Sequence, residues 1–185
     1  MSTTIKQLVK ADIHRLYPGK FTYRKLFKGL RNKGIKYMFF MRYSSYSNVI
    51  IRTIARIFHR FLTYRYGFQI YRTTHIGGGF FIGHFGTLVI SDNASIGQNC
   101  NIAHNCTIGR TKGKNAGAPQ IGDNVWMGTG CVIVGNIKIE DDVLIAPNAY
   151  VNFDVPSHSI VIGNPGKIIP KQNPTKDYIN NAWPG

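Results

Sequence analysis

The chain is poor in acids: eight Asp and Glu face 23 Lys and Arg among 185 residues, a formal net charge of +15 with histidine neutral. It is also poor in cysteine. Cys100, Cys106 and Cys131 are an odd set, with no CxxC pair and no His/Cys cluster at metal-ligand spacing. That pattern argues against a disulfide framework and a cysteine-bound metal, and reduced thiols in a cytosol are expected. No apolar run approaches the ~20 residues needed to cross a bilayer. The opening MSTTIKQLVKADIHRLYPGK has neither the apolar stretch nor the small-residue cleavage site of a secretory leader, so a cytoplasmic protein is expected. Hydrophobic residues reach 43%, which suits a globular protein rather than a disordered one.

The scarcity of acid is concentrated in one region. Residues 1–65 hold fifteen Lys+Arg and a single acid, Asp12, while residues 66–185 hold eight Lys+Arg and seven acids. A strongly basic module is thus joined to a near-neutral one, and the two are read separately.

In the near-neutral part an aliphatic residue returns every six positions. Ile70, Ile76, Ile82 and Leu88 form one series; after a two-residue slip come Ile90, Ile96, Ile102 and Ile108; after a loop come Ile121, Met127, Ile133, Ile139, Ile145 and Val151. A small residue usually follows: Gly77, Gly83, Gly97, Ala103, Gly109, Gly122, Gly128 and Ala146. A period of six is neither helical nor the two-sided alternation of a sandwich strand. It predicts a coil of three short strands per turn, with the aliphatic residue stacked inward on its equivalent one coil later and the small residue at the corner. Rungs of this kind are stable only against their neighbours.

The segments IGGGFFIGHFGTLVI, IGDNVWMGTGCVIVGNIKI and GNPGKII resemble the hexapeptide-repeat acyltransferases, most closely the serine-acetyltransferase-like branch of capsule and O-antigen O-acetyltransferases. The resemblance implies a mainly β fold, a left-handed parallel β-helix, assembled as a homotrimer with active sites between subunits. The expected organisation is a basic α-helical segment (1–65), a β-helix domain (66–170) interrupted by a loop (109–120), and a tail (171–185). The loop contains Lys112 and Lys114 and is expected to wall the cleft of a neighbouring subunit.

Transfer of an acetyl group from a thioester to a hydroxyl needs a base, an oxyanion donor and an aligned thioester. Of six histidines, His14 and His59 lie in the basic segment, and His75 and His158 flank corners without other polar company. His84 falls at the two-residue slip, where a side chain can project into a cleft, and it matches the family's general base. His104, one coil further on, is a candidate substrate contact. The resemblance places the acetyl-CoA donor along Gly109, Thr129, Pro147 and Lys167. Trp126 matches an aromatic of sugar-acetylating relatives and, with Gln69, is a candidate substrate residue. Compared with serine acetyltransferases, the chain has Gly83 and Gln69 where those enzymes place acids, and Ala118 where they place a second histidine. No metal is expected: the γ-class carbonic anhydrases share the repeat but need closely spaced histidines that are missing here.

Val49–Leu62 has Ile50, Ile51, Ile54, Ile57, Phe58, Phe61 and Leu62 at helical spacing, with Arg52, Arg56 and Arg60 on another face. This apolar face is expected to pack on the β-helix and its neighbours in the trimer, and residues 22–65 to touch an anionic membrane from the cytoplasmic side. No nucleic-acid module accompanies the charge, so nucleic acid is not expected as a partner. The expected function is an acetyl-CoA-dependent O-acetyltransferase acting on a sugar hydroxyl of a capsular polysaccharide or lipopolysaccharide. The alternatives are a serine O-acetyltransferase of cysteine biosynthesis and a non-catalytic trimeric scaffold.

Overall fold

The computed structural model describes residues 4–113 and 115–185. Lys114, one of the two lysines expected to make the loop basic, lies outside the described residues. Four helices come first: α1 (Ile5–His14), α2 (Tyr23–Gly29), α3 (Lys33–Tyr43) and α4 (Val49–Tyr66). Each begins at a polar cap, as free N–H groups at a helix start require. Thr4 and Gln7 form a reciprocal capping box on α1, and Asn32 and Asn48 cap α3 and α4. The left-handed Gly67 ends α4 at once, so that the next residue opens the first strand.

The remainder is a parallel β-helix of five coils. The first contains β1 (Phe68–Ile70), β2 (His75–Ile76) and β3 (Phe81–Ile82); the second, β4 (Leu88–Ile90), β5 (Ser95–Ile96) and β6 (Asn101–Ile102). The third contains β7 (Thr107–Gly109), β8 (Gln120–Ile121) and β9 (Trp126–Met127); the fourth, β10 (Val132–Val134), β11 (Lys138–Ile139) and β12 (Val143–Ile145). The fifth has β13 (Tyr150–Val151), a single bridge from Val155 to Ile139, and β14 (Ser159–Ile162). A last strand, β15 (Lys167–Pro170), turns back antiparallel to β14. The strands stack into three sheets, β1-β4-β7-β10-β13, β2-β5-β8-β11 and β3-β6-β9-β12-β14-β15.

The register explains the slip in the hexads. Ile70 stacks on Ile90 and Phe68 on Leu88, so Leu88 and Ile90 point inward on one strand. The columns Ile70–Ile90–Ile108–Ile133–Val151 and Ile82–Ile102–Met127–Ile145–Val161 are buried throughout. Cys100, Cys106 and Cys131 are free and buried in the same core.

The corners follow a rule finer than a small residue after the aliphatic one. Three positions after the inward aliphatic, Asn99, Asn105, Asn124, Asp142 and Asn148 adopt left-handed φ near +55°. Asn and Asp tolerate that conformation better than other residues bearing a Cβ. The glycine after the aliphatic serves close approach instead: a Cβ on Gly77 would lie 2.6 Å from the Gly97 carbonyl.

The helices attach to the first coil through buried polar groups. Arg42 pairs with Asp12 at 3.1 Å and donates to the carbonyls of Ile76 and Gly77. Asp12 accepts from the N–H groups of Gly79 (2.9 Å) and Phe80 (3.1 Å). Arg15 donates to the carbonyl of Gly79 and the side chain of Asn101. Burial pushes the Asp12 carboxyl above its ordinary range, against the pull of Arg42 and the two amides. Tyr37 lies under β1 with its hydroxyl 3.1 and 3.0 Å from the Phe68 and Ile70 carbonyls, and burial raises it to about 12.

Within one chain, α4 corrects the expectation that its apolar face packs on the β-helix. Its buried contacts are Ala55, His59 and Leu62, whereas Ile50, Ile51, Ile54, Ile57, Phe58 and Phe61 are exposed. The tail also has a defined course up the third sheet. Lys171 bonds to His158, Thr175 to Asp142, Tyr178 to Asn101, and Trp183 to Asn99 beside α1.

Candidate active site

The corner between the third and first sheets brings several of the candidate residues into one column. Backbone bonds link it coil by coil: Asn105 to Thr87, Gly130 to His104, Asn148 to Thr129 and Tyr150 to Gly163. His84, His104, Thr129 and Pro147 therefore lie along one edge of the prism, with Lys167 just beyond its foot. Gly109 ends β7 at a different corner, where its carbonyl accepts from Gly135. Gln69 sits on the outer face of β1, exposed and 3.4 Å from the Tyr71 hydroxyl. Trp126 is half-buried under the tail, its ring 4.7 Å from Tyr178.

His84 owes its position to the inserted residues. Ile82 and Ile90 stand eight positions apart, where Ile102 and Ile108 one coil later stand six apart. The ladder holds at Gly83, which bonds to Ile102, while Gly86 turns away to the Tyr66 carbonyl. Between them His84 and Phe85 are exposed. The His84 ring meets His104 edge to face, with centroids 5.7 Å apart. His104 is half-buried and its Nδ1 has no protein partner, a costly state for a buried polar atom that a ligand group would relieve. Among the described residues nothing hydrogen-bonds the His84 ring, where serine acetyltransferases place an acid and this chain has Gly83.

The helical third also reaches this corner. Gly34 of α3 packs against Ile82, where a Cβ would lie 2.7 Å from the Ile82 carbonyl. The neighbouring Lys33 places its Nζ 3.2 Å from the centre of the Phe85 ring. Its sequence gave no sign of this, because Lys33 is one of fifteen basic residues in a segment with no site motif.

His158 differs from expectation: its Nδ1 lies 2.7 Å from Asp142, which also accepts from Thr175. His75 is exposed on β2. Two cavities, of about 800 Å³ and 740 Å³, are lined around α1 with the second sheet and around α4 with β1, and His84 lines neither. In one chain the His84 corner is an exposed edge of the prism.

Comparison with known proteins now fits this geometry. Residues 118–152 match the family described as Bacterial transferase hexapeptide (six repeats). Serine acetyltransferase 4 of Arabidopsis thaliana is 42% identical over 122 residues, 63% of this chain and 34% of its own length. The serine acetyltransferase of Staphylococcus aureus is 40% identical over 129 residues, 69% of this chain and 58% of its own. The chain thus spans about a third to three fifths of these curated relatives. The serine acetyltransferase of Brucella abortus, solved with coenzyme A, superposes with a TM-score of 0.73 at 26% identity, covering 90% of this chain and 68% of that one. These relatives overturn the expected sugar acceptor and its polysaccharide pathway. The inference from Gln69, Gly83 and Ala118 rested on three missing partners, whereas the curated relatives at 40–42% identity are serine acetyltransferases.

Proposed function

We propose that the chain is an acetyl-CoA-dependent serine O-acetyltransferase in which His84 is the general base. The carrying observation is the His84–His104 pair at the head of a corner column that continues through Thr129 and Pro147 toward Lys167. This column suits an extended thioester whose acyl end reaches His84, with small residues along its arm and Lys167 near its phosphates. His84 takes the proton of the serine hydroxyl as the oxygen attacks the thioester carbonyl, and coenzyme A leaves as the thiol. His104, with its free Nδ1, contacts the acceptor. Lys33 is the nearby cation suited to the acceptor carboxylate.

A homotrimer is part of this reading. The outer face of the first sheet carries Val89, Thr107, Val132, Val134 and Tyr150, all half-buried, and a second chain against it would close the open edge at His84. Acetyl-CoA and L-serine turnover, followed by thiol release, tests the assignment. His84→Ala is expected to lower kcat at least ~100-fold, and Lys33→Ala to raise the KM for serine ~10-fold with kcat little changed. Absence of turnover with L-serine, or normal turnover by His84→Ala, contradicts the proposal.

A further inference from the structure

Helix α4 leaves a stripe of large apolar side chains uncovered. Ile50 is 70% exposed, Ile57 63%, Phe61 60% and Tyr64 76%, with Ile54 beside them. At 100° per residue these five fall within a sector ~80° wide, nearly opposite the buried Ala55, His59 and Leu62. Arg60 runs along one edge of the stripe and Arg65 lies near the other, while Arg56 stands further round with its Nε donating to the Ser44 carbonyl. An unpartnered patch of this kind on a water-soluble surface marks an interaction site.

Charge decides which partner fits. Residues 1–65 carry fifteen basic groups, and their single acid, Asp12, is buried against Arg42. Two copies meeting through α4 would press like charge on like charge at the stripe's edges. A surface that is both apolar and anionic removes that repulsion and buries the stripe as well. Among the described residues no helix is long and apolar enough to cross a membrane, and an amphipathic helix of this make-up lies in the plane of a lipid interface. We propose that α4 docks the protein on an anionic lipid surface, with Ile50, Ile57, Phe61 and Tyr64 entering the headgroup boundary and Arg60 and Arg65 meeting lipid phosphates. This goes beyond the reaction proposed above and does not depend on it.

Co-sedimentation of the full chain with phosphatidylcholine vesicles, with and without ~30% phosphatidylglycerol, tests it. Binding is expected only with the anionic lipid, and is expected to weaken as salt rises from about 0.1 M to about 0.5 M. The double variant Ile57→Asp/Phe61→Asp should lose at least ~100-fold in partitioning while keeping its thermal midpoint, because both side chains are exposed. Equal pelleting with neutral vesicles overturns the proposal, as does unchanged binding by the variant. Sedimentation velocity without lipid covers the other occupant: an assembly that the same variant dissolves would assign the stripe to a second copy.

Discussion

In residues 68–149 each of the first four coils repeats one arrangement, with an aliphatic residue inward, a glycine or alanine after it and a left-handed Asn, Asp or Gly to turn a corner. Residues 4–66 repeat nothing. Their packing core is small, and three charged side chains, Asp12, Arg15 and Arg42, make the principal polar joint to the first coil. The difference follows from where a solenoid is incomplete. An interior coil finds its backbone partners in the coils on either side, whereas the first coil has a bare edge. Asp12 accepts from two of its N–H groups, and Arg15 and Arg42 donate to three of its carbonyls. The basic third thus includes the cap of the β-helix, and its remaining charge is free for other work.

This contrast is open to direct attack. Asp12→Ala should destabilise most, by ~3–5 kcal/mol, because it strands the buried Arg42 and two backbone donors; a loss under ~1 kcal/mol in urea unfolding would mean the cap is not held there. Gly97→Ala probes the repeating half. Its Cβ would stand 2.6 Å from the Gly122 carbonyl, and a cost of ~1–3 kcal/mol in the same measurement is expected from overpacking.

The smallest effect is a pH dependence within the helical third. Burial, aided by Arg72, lowers His59 to about 4. Below the ordinary imidazole value of ~6.5 the unfolded chain takes up a proton that the folded chain refuses until about pH 4. Stability from this group is therefore complete above pH ~6.5 and is lost as the pH falls toward 4, by ~1–2 kcal/mol. His59→Gln should remove that part of the difference between unfolding midpoints at pH 7 and pH 5. If the variant keeps the full wild-type pH dependence, another group is responsible.

Much of the β-helix was legible in the residues because a period of six constrains each coil in the same way, and the stacked columns of Ile70 and Ile82 follow from it. The interruption at His84 was legible for the same reason, as a departure from a rule. Within one chain the face of α4 does not pack on the β-helix as expected: helical periodicity shows which side chains share a face and is silent on what covers it. Asp12 stood out as the single acid of its segment, yet its partners lie 30 and 67 residues away in the chain.

The order of the hexads by itself determined the prism, its slip and its loop, since short-range spacing dictates which side chains point inward. Tertiary structure alone decided that His84 faces His104, that Lys33 stands over Phe85, and that the tail climbs the third sheet to Trp183 and α1. Those contacts join segments with no common period, and they form only once the coils have stacked and fixed which edges remain bare.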